Sequence, residues 1–382
     1  MNEMEQQIPM LDLAGEYHEI KDEIDEAVHR VLDSGHFILG EEVEAFEEEV
    51  AGALGVRHAI GVASGSDALL LALMALGIGP GDKVITTPFS FFATASAVVR
   101  LGATPVFCDI DPRTFDLDPA SVRRYLEASY TPAVKAIIPV HLYGQTCDMD
   151  PLLELARTYH LKVVEDCAQS FGSTYQGRQS GTMGDIGCFS FFPTKNLGAY
   201  GDGGMVTTNS DELAEHVRML RVHGAHPKYH HLELGINSRL DALQAAILRV
   251  KLKHLNEWTE RKRTLAAAYD KELSALDWLQ VPYVLPGCRH TYHQYTIKIP
   301  AQRRDEVQKT LAQAGIQTQV YYPEPLHTQP CFIGKQELPE EPANVDAIVS
   351  SVLSLPMSPS LKDGDREAVV RAIEASGGEA TQ

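Results

Sequence analysis

Four side chains of complementary chemistry are clustered in one stretch: Asp166, Gln169, Ser190 and Lys195, within VVEDCAQSFGSTYQGRQSGTMGDIGCFSFFPTKNLGAYGDGGMVTTN, Val163 to Asn209. They are an anion, an amide, a hydroxyl and an amine. The stretch contains three short apolar runs, Val163-Val164, Ile186 to Phe189 and Met205 to Thr208, separated by polar and glycine-rich residues. Runs of this kind between turn signals predict buried strands. In an open α/β sheet the ligand sits beyond the carboxyl ends of such strands, which would gather the four residues around one pocket. Taken singly, Lys195 reads as a surface lysine and Asp166 as a loop cap. As a group, with glycines on both sides of the lysine, they match what pyridoxal phosphate needs. That cofactor is held as a Schiff base on a lysine, with an aspartate keeping its ring nitrogen protonated so that the ring accepts electrons. A hydroxyl or amide steadies the ring oxygen or the phosphate.

The segments EDCAQSFGSTYQGRQSG and SFFPTKNLGAYGDGG resemble the DegT/DnrJ/EryC1/StrS family of pyridoxal-phosphate-dependent sugar aminotransferases, which have the fold type I, aspartate-aminotransferase-like architecture. The resemblance runs from Ser34-Gly35-His36-Phe37 to LSLPMSP at Leu353–Pro359. It implies that Lys195 and Asp166 are catalytic and that Gln169 contacts the ring hydroxyl. It also implies that Phe91 stacks on the ring, and that Gly65, Ser66 and Ser190 take the phosphate. In GINSRLD, Asn237 would reach the phosphate in the neighbouring subunit and Arg239 would lie near substrate; a helix cap is the plainer role for Asn237. Tyr321, Tyr322 and His327 are the implied substrate contacts, although relatives often carry His-Tyr-Pro where this chain has Tyr321-Tyr322-Pro323. The implied working unit is a homodimer with shared active sites, taking an amino donor, glutamate in most relatives, and a nucleotide-linked keto-sugar. Pyridoxamine phosphate is the cofactor form between the two half-reactions. NSRLDALQAAIL accompanies amination at C3 of the sugar more than at C4.

Around these residues the chain alternates strand and helix patterns. His58 to Ala63 reads as a strand, then Ser64-Gly65-Ser66-Asp67 turns into a helix at Ala68 to Leu76. A glycine turn entering a helix suits a phosphate, and equally an N-cap at Asp67. Further strands are expected at Lys83 to Thr86, Pro105 to Cys108 and Lys135 to His141. This predicts a mostly parallel sheet with helices on both faces. Residues 16–33 read as one helix, Gly40 opens another, and a long helix runs from Ala242 to about Trp258. From about Lys253 shorter pieces follow: strands at His290 to Ile299 and Gln317 to Tyr322, and a helix at Asp305 to Ala314. The expected division is a large cofactor-binding α/β domain, 1–253, and a small α+β domain, 254–382, with the tail after Gly377 disordered.

At 382 residues, 44% hydrophobic and 22% charged, the chain is long enough for two packed domains. Its net charge of −19 argues against nucleic acid or an anionic membrane as partner. The six cysteines have no CxxC spacing and read as reduced, mostly buried thiols of a cytoplasmic protein. The opening residues carry no signal-peptide pattern, and Ala68 to Leu76 is too short to span a bilayer. No dinucleotide, P-loop or HExxH signature occurs, and His223, His226, His230 and His231 fit no standard zinc spacing, so no metal is expected. Three alternatives remain. A sugar dehydratase on this fold has histidine in place of Lys195. A non-catalytic regulator should have lost part of the Asp/Lys/Ser set. The third is another fold type I chemistry.

Overall fold

The computed structural model describes residues 7–377, so the expectation for the tail lies outside the described residues. Its centre is a seven-stranded sheet. In spatial order the strands are His58–Val62, Gly204–Thr208, Ile186–Ser190, Lys162–Asp166, Val134–Ile137, Lys83–Thr86 and Thr104–Phe107. Gly204–Thr208 runs antiparallel to both neighbours and every other pairing is parallel. His58–Val62 and Ile186–Ser190 therefore point the same way, and six carboxyl ends share one edge.

Strand periodicity divides the apolar residues between the two faces. Val164, Cys188 and Val206 join one core, beneath the helices Gly65–Ala75, Ala93–Arg100 and Asp211–Leu220. Phe189 and Met205 join the other, against Lys21–Ser34, Glu41–Leu54 and Ala242–Leu273. A separate core holds Tyr269, Tyr295, Leu311 and Leu353. It lies between a two-stranded antiparallel sheet, Tyr295–Lys298 with Val352–Leu355, and the helices Ala301–Gln313 and Asp363–Ser376.

Four local expectations are corrected. The helix over 16–33 is two helices, Leu13–Glu19 and Lys21–Ser34, parted at Ile20 where the backbone leaves helical geometry. Asp67 is not the cap of the next helix: Ser64 is, accepting from the Asp67 amide at 3.1 Å, and the helix starts at Gly65. Side-chain capping works from the residue whose own backbone is still extended, and that is Ser64. The helix expected to end near Trp258 continues to Leu273, 32 residues in all. Its charged run TERKRT hides the apolar rhythm, yet Trp258, Lys262, Ala266, Tyr269 and Leu273 stay buried at helical spacing. The position 253/254 falls within this helix. Finally, Gln317 to Tyr322 is not a strand: only Gln319 bridges, to Ser354, and the two tyrosines that follow turn to the cavity described below.

Candidate active site

Asp166 and Ser190 end adjacent parallel strands, so both stand at the shared carboxyl edge. Asp166 is buried. One carboxylate oxygen accepts from the Thr94 hydroxyl at 2.8 Å, itself 2.9 Å from Ser90, and the other accepts from the Ala168 amide at 3.2 Å. Burial raises the Asp166 pKa, while Thr94, Ala168 and the Lys195 amine hold it down. Lys195 lies in the loop leaving Ser190. Surrounded by protein, although part of its surface meets the cavity, its ammonium is pushed down to about 8 by desolvation, against the opposing pull of Asp166.

Neighbouring Glu165 points to the opposite face and has another task. Its carboxylate accepts from the amides of Gly181, Met183 and Gly184 at 2.6–2.9 Å and pairs with His141 Nε2 at 2.9 Å. His141 Nδ1 accepts from the Cys147 amide at 3.1 Å, which puts the ring proton on Nε2. His141, Glu165 and Cys167 lie close enough to suggest a metal. However, the carboxylate and both ring nitrogens are already engaged, so the network holds the end of the strand that carries Asp166.

The turn Ser64-Gly65-Ser66 closes on Ser190. Gly65 and Ser66 occupy the first two helical positions, whose amides have no intrahelical acceptor, so they form an anion cradle beside the Ser190 hydroxyl. Only a residue without a side chain permits this: a Cβ on Gly65 would lie 2.5 Å from Ser190 Cβ. Gly65→Ala should thus push the turn off Ser190 and weaken cofactor binding about tenfold or more, since closely placed donors are lost together. Fluorescence titration of cofactor into the ligand-free protein measures this; an unchanged affinity would remove the turn from the phosphate site.

Gln169 is fixed at both ends. Its Oε1 accepts from the Tyr143 amide at 2.7 Å and its Nε2 donates to the Tyr322 hydroxyl at 3.0 Å, so the amide turns its donor side toward Tyr322. Phe91 leaves 56% of its surface open, with its ring 6.2 Å from that of Tyr322. Gly65, Ser66, Phe91, Asp166, Gln169, Ser190 and Lys195 line a single cavity of about 500 Å³, together with Tyr321 and Tyr322. Asn237, Arg239 and His327 do not line it: Asn237 is exposed and His327 faces Asp346 at 3.6 Å.

Sequence reasoning missed Ser90 and Thr94, which support Asp166, and Asp202, His293 and Gln294, which line the cavity. Ser90 and Thr94 could have been found as hydroxyl side chains on either side of the entry to the helix Ala93–Arg100, where such groups commonly bond to neighbouring polar atoms. Nothing local marks the other three. The set fits pyridoxal phosphate. A buried carboxylate without a cation bonded to it suits a ring N–H, a partly deprotonated lysine suits an aldehyde, and the cradle suits a phosphate dianion.

The family model of the DegT/DnrJ/EryC1/StrS aminotransferase family matches residues 18–374. Among curated relatives, a "pleiotropic regulatory protein" of Geobacillus stearothermophilus is 50% identical over 96% of this chain and 97% of its own. The UDP-N-acetyl-3-dehydro-alpha-D-glucosamine 3-aminotransferase of Acidithiobacillus ferrooxidans is 48% identical over 93% of this chain and 94% of its own. Among solved structures, S. venezuelae DesV in complex with a ketimine intermediate superposes with a TM-score of 0.93 at 42% identity, covering 98% of this chain and 100% of that one.

Proposed function

The chain belongs to the DegT/DnrJ/EryC1/StrS aminotransferase family, and from that premise we propose a role for each residue of the cavity. The protein is a pyridoxal-phosphate-dependent aminotransferase that moves an amino group from an amino acid, glutamate by preference, to a keto-sugar nucleotide, with C3 favoured over C4. One observation carries the reading: Lys195, Asp166 and the Gly65-Ser66-Ser190 cradle converge on a single cavity. Pyridoxal phosphate, when bound, supplies the aldehyde that exchanges the amino group and an electron sink for the substrate carbanion. Lys195 Nζ would hold it covalently, Asp166 would pair with its ring nitrogen, and the amides of Gly65 and Ser66 with the Ser190 hydroxyl would bind its phosphate. Phe91 would cover one ring face and Gln169 would donate to the ring oxygen.

The residues then divide the work. Lys195 Nζ, titrating at about 8, takes and returns a proton beside the substrate carbon, and its closeness to neutrality suits a group that must do both. Asp166 keeps its negative charge where the positive ring nitrogen would sit. Tyr321 and Tyr322 stand at the cavity wall for the substrate, whereas His327, which faces Asp346 and does not line the cavity, takes no direct part in this reading. A dehydratase would need histidine at position 195, and a regulator has no use for the intact Lys195, Asp166 and Ser190 set. The regulatory name of one relative therefore does not weaken the enzymatic reading. Assaying keto-sugar nucleotides with glutamate, and following 2-oxoglutarate release, tests it. Turnover confined to free amino acids would replace it.

We also propose a cytoplasmic protein, in keeping with six cysteines that form no disulfide among the described residues. The core around Tyr269 and Tyr295 supports a smaller C-terminal domain, joined to the large one through the helix Ala242–Leu273.

The working unit is a homodimer in which Asn237 and Arg239 serve the partner's cavity. Two observations support this. Neither residue lines its own cavity, and the preceding loop leaves Tyr229 83% and Leu234 92% exposed, apolar surface suited to a second subunit. Mixing Lys195→Ala subunits with subunits altered at both Asn237 and Arg239 should restore activity to about a quarter of the parent's. Roughly half the dimers would be hybrids, each with one intact cavity. The doubly altered protein is first checked to be nearly inactive alone. Subunit exchange verified by mass with no recovered activity would mean that one chain builds each site.

A further inference from the structure

His293 lines the cavity with Lys195 but has no role in the assignments above. It is 5% exposed, and its Nδ1 is fully buried without a hydrogen-bond partner among the described residues. Nε2 is therefore the polar atom that it offers to the cavity. Its place is closely held. The Thr291 amide donates to the Gly144 carbonyl at 2.8 Å and the Gln294 amide to the Tyr143 carbonyl at 3.1 Å. Gly144 has a φ of +104°, and a Cβ there would lie 2.7 Å from the His293 backbone nitrogen, so the contact requires glycine.

The same segment is tied to the residue after Lys195. Asn196 Nδ2 donates to the Thr291 carbonyl at 3.1 Å, and Asn196 Oδ1 accepts from the Lys262 ammonium at 2.9 Å. The backbones that carry the amine and the imidazole are thus fixed relative to each other.

Burial, reinforced by Lys195, Lys262 and His290, pushes the His293 pKa well below its usual value, so the ring is neutral at working pH. A neutral imidazole has one N–H. Placed on Nδ1 it would be a buried donor without an acceptor, which is the costly arrangement. Placed on Nε2 it faces the cavity, where a ligand can accept it. The ring therefore presents a donor to the cavity that also receives the Lys195 amine, whose charge it feels, and the matching group is a substrate oxygen near the carbon that exchanges nitrogen. Two substrates use the cavity in turn. The oxygens of an amino acid are anionic carboxylates, which call for a cation in a buried site. Those of a keto-sugar are neutral hydroxyls, which a neutral imidazole satisfies.

We propose that His293 is a specificity residue for the sugar half-reaction, its Nε2–H donating to a hydroxyl beside the carbon that is aminated. The proposal rests on the keto-sugar reading above.

The test uses the cofactor-loaded enzyme and three variants. His293→Gln places an amide N–H near the Nε2 position, His293→Asn places it near Nδ1, and His293→Leu removes it. The readouts are calorimetric affinity for the amino-sugar nucleotide product, affinity for 2-oxoglutarate, and single-turnover rates of the two half-reactions. The leucine and asparagine variants should lose about tenfold in sugar-nucleotide affinity, and as much in the sugar half-reaction, with glutamine restoring most of both. Affinity for 2-oxoglutarate and the amino-acid half-reaction should change little. Equal losses with both substrates, or no loss with the sugar, overturns the proposal. If leucine disturbs folding, the glutamine–asparagine contrast decides, and equality between them overturns it. A parent enzyme that aminates no keto-sugar nucleotide overturns the substrate reading and this proposal with it.

Discussion

Lys195→Ala is expected to abolish transamination and the visible absorbance of the lysine-bound cofactor while leaving the fold intact. Among the described residues no other lysine lines the cavity, so nothing replaces the amine that holds the cofactor and carries the proton. Absorbance and turnover, with circular dichroism as the folding control, check this; parent-rate turnover would overturn the assignment. A second signature follows from titration. Desolvation lowers the folded-state pKa of Lys195 to about 8, from its ordinary value of 10.5. Between those pH values the unfolded chain holds a proton that the folded chain does not, so stability of the ligand-free protein rises with pH across that window. Removing the amine removes that contribution. The stability difference between parent and Lys195→Ala should therefore shift in the parent's favour from pH 8 to 10.5 in chemical denaturation. A difference that stays constant would mean the amine is not desolvated.

Asp166→Asn should slow turnover by roughly two to four orders of magnitude, the effect of losing a buried charge interaction of about 3–5 kcal/mol. An asparagine fills the same space and keeps one of the two acceptors, so it retains the bond from Thr94 at the expense of the weaker one from the Ala168 amide. What is lost is the negative charge that holds the ring nitrogen protonated. Cofactor affinity should fall less than the rate, because the cradle at Gly65, Ser66 and Ser190 is untouched. Steady-state kinetics beside cofactor titration separates the two effects. Near-normal turnover would assign the ring nitrogen to another residue.

The contrast between Asp166 and Glu165 shows how much was legible beforehand. Both are carboxylates at one strand end, and strand periodicity alone sends them to opposite faces. Only the folded chain reveals that Glu165 is saturated by three loop amides and His141, whereas Asp166 lines the cavity. Similarly, the long helix outran its expected end because a charged exposed face masked a buried rhythm that continues to Leu273. The strand expected over Gln317 to Tyr322 failed because β-propensity reports fit to a neighbour, and beyond Gln319 no partner strand is present among the described residues.

The amino-acid order by itself determined the alternating strand–helix architecture, the placing of Asp166, Ser190 and Lys195 at one sheet edge, and the cofactor class. Each depends on residue type and short spacing, which act locally. The tertiary structure decided what depends on contacts between distant segments. It placed Ser64 as the cap and packed Gly65 against Ser190. It brought Thr94 to Asp166 across 72 positions, and it set His293 on the wall of the cavity that Lys195 also lines. It also turned Asn237 and Arg239 away from their own cavity, since the direction of a side chain follows from packing that no short window of sequence contains.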